Sequence, residues 1–527
     1  MKNLLLGINA KYIHPNLAIR LLKKNTDIDV DIKEFTIKDS NDDILKFISS
    51  YDTIAISTYI WNVNKIKEML PLLKDKIVIL GGPEVSYNAG YYLDNNLCSY
   101  VIKNEGEESY NLLLHYLNGD NSIDEVPNLY YKGGYTFDKL VDLSKAKMAY
   151  DLFDDVKNKI MYIETSRGCP YHCGYCMASL DNKVRFFDIE EIKAQIRLLQ
   201  ERGARVFKFL DRTYNANPKF LDLIDFIIES HKEGQSYQFE ITGDLLKPKF
   251  IDYINERAPK NLIRFEIGIQ STNIKTNRSV GRIQNNDILF SNIKKIQDAG
   301  IIDLHLDLIA GLPYEDYKSF EKTFNDVVAL RPKELQLGFL KLLYGTRLFK
   351  EAILYNYVWM DMAPYEVIKN DFMSEEDISN IHLAEDAFEH YYNSGVMKGA
   401  MNVVLDYEES PFDFFFRLGH YDFKHNGLEH LFRVIDDFIK PFSYYNEFHK
   451  AIILDYLNYF NLKPKAWWDE KLDKHERNIM LRELHERYNI EYPITDLYKY
   501  SLLIDLPKTT IIAIYKENDK KIIMLNK

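Results

Sequence analysis

Several features that mark particular classes of protein are scarce or missing in this sequence. Only four of its 527 residues are cysteine. Three of these, Cys169, Cys173 and Cys176, lie close together, which is a poor framework for disulfide bonds in a chain of this size. No stretch approaches the ~18 consecutive apolar residues of a membrane-spanning helix, and the N-terminus lacks the long apolar region of a signal peptide. We therefore expect a soluble protein of the cytoplasm that has no membrane partner.

An excess of basic residues is also missing. The chain has 67 Lys and Arg against 79 Asp and Glu, a formal net charge of −12 at pH 7. Proteins that bind long nucleic acid usually carry a basic surface, so this balance argues against such a partner. Hydrophobic residues make up 46 % and charged residues 28 % of the chain, an ordinary globular composition. At ~150 residues per domain, the length predicts about three domains.

Residues 1–125 alternate short apolar runs with amphipathic stretches. The apolar runs predict strands at 3–8, 30–37, 53–59, 77–80 and 100–103. The stretches between them predict helices at 17–24, 42–50, 63–73 and 107–117. Strict alternation of strands and helices predicts an α/β, doubly wound (Rossmann-like) domain, in which ligands bind beyond the carboxyl ends of the strands.

A second alternating region follows a less regular segment at 126–158, which we interpret as a linker. Strands are predicted at 160–165, 206–210, 237–242, 263–269, 302–309 and 334–341. Six βα units predict a partial (β/α)6 barrel over residues 159–345, because a closed eight-fold barrel needs ~250 residues. Residues 346–527 are predicted to form a mostly helical C-terminal domain, and we recognise no chemical motif in it.

A C-x₃-C-x₂-C run formed by Cys169, Cys173 and Cys176 comes directly after the first predicted barrel strand. Thiolates are the usual ligands of iron–sulfur clusters, and three of them leave one iron of a four-iron cluster open to a substrate. Zinc is the structural alternative, but a structural zinc site needs four ligands. His172 is next to Cys173, which makes joint coordination by the two residues awkward.

With Tyr175 at its aromatic position, this run resembles the C-x₃-C-x-aromatic-C signature of the radical S-adenosylmethionine (SAM) superfamily. The resemblance implies that the three cysteines hold a [4Fe–4S] cluster and that SAM chelates the fourth iron. It also implies that the reduced cluster cleaves SAM to methionine and a 5′-deoxyadenosyl radical. A reductant such as flavodoxin or ferredoxin is then an expected partner.

Later strand ends carry residues at positions where this superfamily contacts SAM. The resemblance implies contacts to the amino group, ribose, adenine and carboxylate of SAM, although the usual Gly-Gly-Glu is absent where Asp211 stands. The candidates are Asp211, Glu240, Glu266, Gln270, Ser271, Arg282, Ile309 and Gly311. Each of them alone is also compatible with an ion pair or a turn, and their order along the chain is what favours the site.

The N-terminal loops narrow the resemblance to cobalamin-binding radical SAM enzymes, similar to the anaerobic magnesium-protoporphyrin monomethyl ester cyclase group. The residues that we expect to contact cobalamin are Lys11, Tyr12, Thr58, Tyr59, Trp61, Gly81, Gly82, Pro83, Glu105 and Gly106. Glycines in such turns let backbone amides approach a nucleotide closely. Residues 1–125 contain no D-x-H-x-x-G motif, so the resemblance implies base-off cobalamin without a histidine ligand.

The resemblance implies an enzyme that abstracts hydrogen from an unactivated carbon of a small-molecule substrate and transfers a methyl group to it. Cobalamin-assisted cyclisation or rearrangement is an alternative. A methylthiotransferase is a third possibility, but it would need three further N-terminal cysteines, and Cys98 is the one other cysteine of the chain. A non-catalytic corrinoid or redox sensor is the alternative from a different class.

The cysteine assignment has a direct test. Replacing Cys169, Cys173 and Cys176 together by Ala should abolish reconstitution of the cluster, because no thiolate of the motif remains. The matched Cys98→Ala variant should bind as much iron as the wild type. Iron content after anaerobic reconstitution is the measurement, and retention of about four irons in the triple variant would contradict the assignment.

Overall fold

A seven-stranded sheet is formed by the N-terminal part of the chain in the computed structural model, which describes residues 1–424, 427–468, 472–516 and 519–527. Its strands are β1 (Asn3–Asn9), β2 (Asp31–Thr36), β3 (Thr53–Ser57), β4 (Ile77–Gly81), β5 (Tyr100–Ile102), β6 (Leu129–Tyr131) and β7 (Gly134–Tyr135). Its helices are α1 (Leu17–Lys24), α2 (Asn41–Ile48), α3 (Val63–Met69), α4 (Pro83–Ser86), α5 (Ala89–Asp94) and α6 (Glu107–Asn118). Strands β1 to β5 run parallel in the order β2-β1-β3-β4-β5, and β6 and β7 continue the sheet antiparallel.

Both faces of this sheet are covered. Every residue of β1 and of β3 is buried, which is typical of central parallel strands between two helical layers. Leu4 and Leu6 belong to the apolar core on one face, and Leu5 belongs to the core on the other. The doubly wound prediction is therefore confirmed. In this strand order the topological switch point lies between β1 and β3, where such sheets bind ligands.

A six-stranded sheet of order β8-β11-β12-β13-β14-β15 forms the predicted partial barrel, which is confirmed. Its strands are β8 (Ile160–Ile163), β11 (Val206–Phe209), β12 (Ser236–Ile241), β13 (Ile263–Gln270), β14 (Asp303–Ala310) and β15 (Glu334–Phe339), and the short strands β9 (Ser166–Arg167) and β10 (Arg185–Phe186) pair with each other. The helices are α7 (Ile189–Glu201), α8 (Phe220–Ser230), α9 (Pro248–Arg257), α10 (Ile274–Ser279), α11 (Asn286–Ala299) and α12 (Tyr317–Val328). Strand β13 alternates buried and half-buried residues, so one face packs against helices and the other faces a partly open lumen.

The chain divides into two units, Met1–Thr323 with Leu335–Ile378, and Phe324–Glu334 with Ser379–Lys527. The remaining elements are α13 (Arg347–Lys350), β16 (Val358–Trp359), β17 (Val367–Lys369), α14 (Glu375–Phe388), α15 (Lys398–Tyr407), α16 (Pro411–Leu418), α17 (Gly427–Ile439), α18 (Tyr445–Tyr459), α19 (Lys474–Tyr488), α20 (Ile494–Tyr500), β18 (Ser501–Asp505), β19 (Thr509–Lys516) and β20 (Asp519–Asn526). The C-terminal part is thus mostly helical, as predicted, and it also contains a three-stranded antiparallel sheet.

Two predicted domain limits differ from features of the structure. Strands β6 and β7 extend the first sheet past residue 125 into the predicted linker, and residues 346–378 belong to the first unit. The limits themselves remain predictions. Within the part of the chain that the structure describes, no helix has both the length and the apolar character needed to cross a membrane.

One carboxyl group is completely buried in the barrel wall after β14. Glu315 is 0 % exposed, and its Oε1 accepts hydrogen bonds from Ser271 Oγ (2.5 Å) and Thr323 Oγ1 (3.0 Å). Its Oε2 is buried without a hydrogen-bond partner. Burial raises the pKa of Glu315 to about 7, because the charged form loses its hydration.

Glu315 should make the stability of the protein depend on pH. Because its folded-state pKa is raised above the unfolded value, its stabilising contribution is complete below about pH 4.5 and is lost as pH rises through about 7. We expect Glu315→Gln to raise the free energy of unfolding at pH 8 by about 1–3 kcal/mol and to change it little at pH 5. Urea unfolding at both pH values measures the difference. The exposed neighbour Asp316→Asn is the matched control, and an equal effect of Glu315→Gln at both pH values would contradict the interpretation.

Candidate active site

The three clustered cysteines lie on a closed loop. Strands β9 and β10 pair antiparallel at its base, and the Cys169 amide donates to the Asp181 carbonyl at 2.9 Å. Gly168 has φ +89°, and a Cβ atom there would lie 2.6 Å from the Lys183 carbonyl oxygen. Glycine is therefore required where the loop closes. All four cysteines of the chain are free thiols.

The cysteine loop forms one wall of a cavity of about 340 Å³. Nine of the predicted residues line it, namely Cys169, Cys173, Cys176, Tyr175, Glu240, Glu266, Gln270, Arg282 and Ile309. The cavity is also lined by Tyr171, Arg212, Thr213, Ile241, Thr242, Gly268, Asp307, Leu308, Gln336 and Gly338. Residues from the carboxyl ends of five strands thus meet three thiols in one space.

Two guanidinium groups face this cavity. Arg282 donates to the Gly268 carbonyl and, at 3.0 Å, to Gln284 Oε1. Burial disfavours its charge, but the nearby Tyr175 and Cys173 more than offset this effect, so the pKa of Arg282 is raised. Arg212 donates to Glu240 Oε1 at 3.2 Å, and this carboxylate raises the pKa of Arg212. Both arginines therefore stay charged beside the cysteines. Burial also raises the pKa of the Cys176 thiol.

A layer of paired charged groups lies deeper in the barrel. Lys208 Nζ donates to Glu266 Oε2 at 3.0 Å. Arg264 Nη2 lies 2.8 Å from His305 Nδ1, and His305 Nε2 lies 2.9 Å from Asp307 Oδ1. Because a guanidinium can only donate, His305 Nδ1 accepts and Nε2 carries the proton that it donates to Asp307.

The position of this proton on His305 decides whether the residues around it can bind a metal ion. Ligand atoms of Glu266, His305 and Asp307 lie within 4.8 Å of one another. A metal ion would need the Nε2 lone pair, and in this arrangement Nε2 carries a proton instead. The geometry therefore favours a hydrogen-bonded network that lines the cavity with carboxylates.

Three other residues predicted to contact SAM are not among the residues that line the cavity, and their contacts to SAM stay predictions. Asp211 accepts from the Thr165 amide (3.1 Å), from Thr165 Oγ1 (2.6 Å) and from Ser166 Oγ, so both of its oxygens are used to hold the start of the cysteine loop. Burial raises the pKa of Asp211 to about 6. Ser271 is completely buried and donates to Glu315, and the Gly311 carbonyl accepts two hydrogen bonds from other parts of the chain.

The loops after β1 and β3 meet at the switch point of the N-terminal sheet. Asn16 Nδ2 donates to Ser57 Oγ at 2.7 Å, and Asn62 Nδ2 donates to the carbonyls of Ile8 (2.9 Å) and Ser57 (3.0 Å). The predicted residues Lys11 and Tyr12 lie on the first loop, and Thr58, Tyr59 and Trp61 lie on the second. The rings of Tyr59 and Trp61 stack with centroids 4.3 Å apart, and Trp61 is 47 % exposed.

A third loop, formed by the predicted residues Gly81, Gly82 and Pro83, packs against the second. Gly82 has φ +109°, and a Cβ atom there would lie 2.5 Å from the Thr58 carbonyl oxygen. The Thr58 amide donates to the Gly81 carbonyl at 2.7 Å. These contacts fix the two loops at adjacent positions along the edge of the sheet.

Glu105 connects the N-terminal sheet to the cysteine loop. Its carboxylate accepts from Arg167 (3.2 Å), from Arg185 (2.7 Å) and from the Val141 amide (2.7 Å). These contacts engage both oxygens, and the predicted contact of Glu105 with cobalamin stays a prediction. Gly106, also predicted at the cofactor, precedes α6, and a Cβ atom there would lie 3.1 Å from Leu22 Cδ2.

The two histidines of residues 1–125, His14 and His115, both contact other side chains of the protein. His14 Nδ1 lies 2.6 Å from Tyr162 Oη on β8, and burial lowers the pKa of His14. His115 forms ion pairs with Asp27 (2.8 Å) and Asp120 (3.0 Å).

The sequence analysis missed several residues of the cavity, above all Arg212 and Asp307. It selected Asp211, the acidic residue at the end of β11. Successive side chains of an extended segment point in opposite directions, so the side chain that faces the cavity belongs to the next residue. The same alternation of side chains applies to Asp307. Towards the end of β14, buried and half-buried residues alternate, and Asp307 is one of the half-buried ones.

Comparisons with known proteins agree with this layout. The B12 binding domain family matches residues 3–114, the radical SAM superfamily matches residues 163–327, and a family of proteins of unknown function (DUF4080) matches residues 354–518. The cobalamin-dependent radical SAM methyltransferase TokK of Streptomyces tokunonensis is 23 % identical over 309 residues, 51 % of this chain and 44 % of the relative. The 2-(S-pantetheinyl)-carbapenam-3-carboxylate methyltransferase of Streptantibioticus cattleyicolor is 22 % identical and covers 52 % of this chain and 44 % of its own length. This chain thus spans less than half the length of these two relatives.

Solved structures show the same fold. The radical SAM methyltransferase TsrM from Kitasatospora setae, solved with cobalamin and a [4Fe–4S] cluster, superposes with a TM-score of 0.59 at 12 % identity and covers 79 % of this chain and 98 % of its own. The cobalamin-dependent SAM radical enzyme OxsB has a TM-score of 0.58 at 15 % identity, with coverage of 93 % and 76 %. The chain thus carries a region that matches the B12 binding domain family, followed by a region that contains the cysteine loop and matches the radical SAM superfamily, and it shares its fold with these two solved structures.

Proposed function

We propose that the chain is a cobalamin-dependent radical SAM methyltransferase that acts on a small molecule. One observation carries the proposal: the three free cysteines of the C-x₃-C-x₂-C loop line the same cavity as two charged arginines and the strand-end carboxylates. The base of this loop is ion-paired with the B12-binding domain through Arg167, Arg185 and Glu105. The two relatives described above, both named as methyltransferases, favour methyl transfer over the other reactions.

The donor set fits a [4Fe–4S] cluster with one open iron. Cys169, Cys173 and Cys176 would hold three irons, and the polar cavity beside them leaves room for SAM. When bound, the cluster supplies the electron that cleaves SAM reductively. Arg282 and Arg212 would neutralise the SAM carboxylate, because they are the two guanidinium groups that line the cavity within the described residues.

The remaining cavity residues would orient SAM and the substrate. Glu240 and Gln270 offer oxygen acceptors for ribose hydroxyl groups, and Gln270 Oε1 is buried without a hydrogen-bond partner among the residues that the structure describes. Ile309 offers an apolar surface to adenine. The Glu266 and Asp307 carboxylates lie deeper and favour a polar substrate. A reductant such as flavodoxin or ferredoxin would deliver the electron.

The switch-point loops fit a cobalamin that has no histidine ligand. Tyr12 and Trp61 expose large aromatic surfaces there, 59 % and 47 % of their area, and could lie against the corrin ring. When bound, cobalamin supplies a methyl group that a second SAM molecule restores. His14 Nδ1 is engaged by Tyr162 Oη, so this histidine already has a partner within the protein, which supports the base-off form.

The proposal predicts two products from SAM. We expect the reconstituted protein, incubated anaerobically with cobalamin, SAM and a strong reductant, to form both 5′-deoxyadenosine and S-adenosylhomocysteine. Leaving out cobalamin should remove S-adenosylhomocysteine alone, because this product reports methylation of the corrinoid. Mass spectrometry follows both products. Cys98→Ala should behave as the wild type, whereas Cys176→Ala should form neither product.

A different product pattern would count against methyl transfer. With cobalamin bound, 5′-deoxyadenosine alone would indicate a cyclisation or rearrangement. If a protein loaded with both cofactors formed neither product, the sensor alternative would be favoured.

The axial ligand can be tested separately. We expect the electron paramagnetic resonance spectrum of bound cob(II)alamin to lack axial nitrogen coupling, since both histidines of residues 1–125, His14 and His115, are engaged by other side chains. The His14→Ala variant should give the same spectrum. Nitrogen coupling in the wild type that disappears in His14→Ala would show that the base-off assignment is wrong.

A further inference from the structure

The segment that follows the last barrel strand returns along its own start. We call residues 340–373 the strap. The Val367 amide donates to the Leu340 carbonyl at 2.9 Å, and the Leu342 amide donates to the Tyr365 carbonyl at 3.0 Å. The Leu340 amide in turn donates to the Ala310 carbonyl of β14 at 2.9 Å. The strap is therefore anchored at the carboxyl end of the barrel sheet.

The strap also contacts the loops of the B12-binding domain. Tyr365 Oη donates to Glu84 Oε1, directly after Gly81–Pro83, and both side chains are buried, with exposures of 1 % and 6 %. Asn64 Nδ2, which follows the Thr58–Trp61 loop, donates to the Ala363 carbonyl at 3.0 Å. Gly345 has φ +86°, and a Cβ atom there would lie 2.4 Å from Cγ of Tyr87.

Other contacts of the strap reach the part of the cavity that we propose binds SAM. Tyr357 Oη and Asn370 Nδ2 both donate to the Gly311 carbonyl at 2.9 Å. The Leu348 amide donates at 2.8 Å to the carbonyl of Gly174, which lies between Cys173 and Tyr175. One segment thus holds the cysteine loop and the loop that follows Ile309.

An apolar core stiffens this arrangement. Strap residues Leu340, Leu342, Leu348, Tyr357 and Val367 form a buried cluster with Val280 and Leu312, and the cavity residues Tyr175 and Ile309 pack against it. A segment that is close-packed in this way is a stiff support, so loss of one polar contact loosens the loop at that contact while the core holds the rest of the strap in place.

The hydroxyl groups of Tyr365 and Tyr357 each form a hydrogen bond from the strap to one of the two loops that it contacts. The Glu84 carboxyl is buried, and burial raises its pKa, so loss of the Tyr365 hydroxyl would remove a hydrogen bond that this desolvated group accepts. Removing one partner of a buried hydrogen bond costs more than the bond itself contributes. Tyr357 plays the corresponding part at Gly311, where Asn370 is a second donor.

We propose that the strap fixes the position of the cobalamin-side loop, residues 81–87, relative to the SAM-side loop, residues 309–313. Tyr365 and Tyr357 are its positioning residues, one for each loop. The inference rests on the proposed function, because Gly81, Gly82 and Pro83 are predicted to contact cobalamin and Ile309 is proposed to contact SAM. It gives the N-terminal part of the uncharacterised C-terminal family match a role in joining the two sites.

The test compares Tyr365→Phe and Tyr357→Phe in the full chain. Tyr355→Phe is the matched control, since the Tyr355 hydroxyl forms no hydrogen bond among the described residues. Hydrogen exchange of the protein without cofactors is measured by mass spectrometry. Tyr365→Phe should speed exchange in residues 81–87 about 5-fold or more and leave 309–313 unchanged. Tyr357→Phe should do the reverse, with a smaller change because Asn370 still donates.

Binding gives the second readout. Tyr365→Phe should raise the Kd of hydroxocobalamin, followed by visible absorption, by about 3–10-fold and change the Kd of SAM by less than about 2-fold. Tyr357→Phe should weaken SAM instead. Equal effects on both loops, no effect on either loop, or altered exchange with unchanged Kd values would each overturn the inference. A wild type that binds no cobalamin would refute the proposed function, and the exchange pattern would still decide the role of the strap.

Discussion

The Arg167 guanidinium is the constraint on which the arrangement of the two folds depends. It pairs with Glu105 and Glu107, which follow β5 of the N-terminal sheet, and with Glu164, which follows β8 of the barrel. All four side chains are largely buried, and Gly168 and Cys169 come next in the chain. Removing one partner of a buried ion pair costs about 3–5 kcal/mol, because the remaining charge stays desolvated. Arg167, two residues before the first cysteine, therefore sets where the cysteine loop lies against the B12-binding domain.

A second constraint, the pairing of buried charged groups, explains the polar lining of the barrel lumen. Barrel interiors are usually filled by branched apolar side chains. Here Lys208, Glu266, His305 and Asp307 occupy lumen positions, and each charge has a partner of opposite sign or a hydrogen bond. Pairing makes these groups tolerable at low hydration while their remaining oxygens face the cavity. A polar ligand surface is thus built without an unpaired buried charge.

The sequence was sufficient for features whose signal is local. The cysteine spacing, Tyr175 and the period-two polar residues Glu240 and Glu266 could be placed at one edge, because parallel strands end on the same side. The sequence drew attention to Asp211 and not to Arg212, which lines the cavity, because the direction of a side chain at a strand end depends on the exact residue where the strand stops. The ion pairs of Glu105 could not be predicted, because its partners, Arg167 and Arg185, are 62 and 80 residues away in the sequence.

The contacts of the strap could not be predicted from the sequence either. Nothing in the sequence near Tyr365 marks it as a partner of Glu84, which lies 281 residues earlier. The alternation of side chains along β14 is enough to show that Asp307 faces the cavity. A long-range pair such as Tyr365 and Glu84 can be found only in the tertiary structure.

The metal content of the full chain tests the central claim, that one chain holds both cofactors side by side, most directly. The protein is reconstituted anaerobically with iron, sulfide and hydroxocobalamin and then freed of unbound material. The account predicts about four iron atoms per chain together with an equimolar amount of cobalt in the same fraction. Iron without cobalt, or cobalt that is lost as iron is loaded, would contradict it.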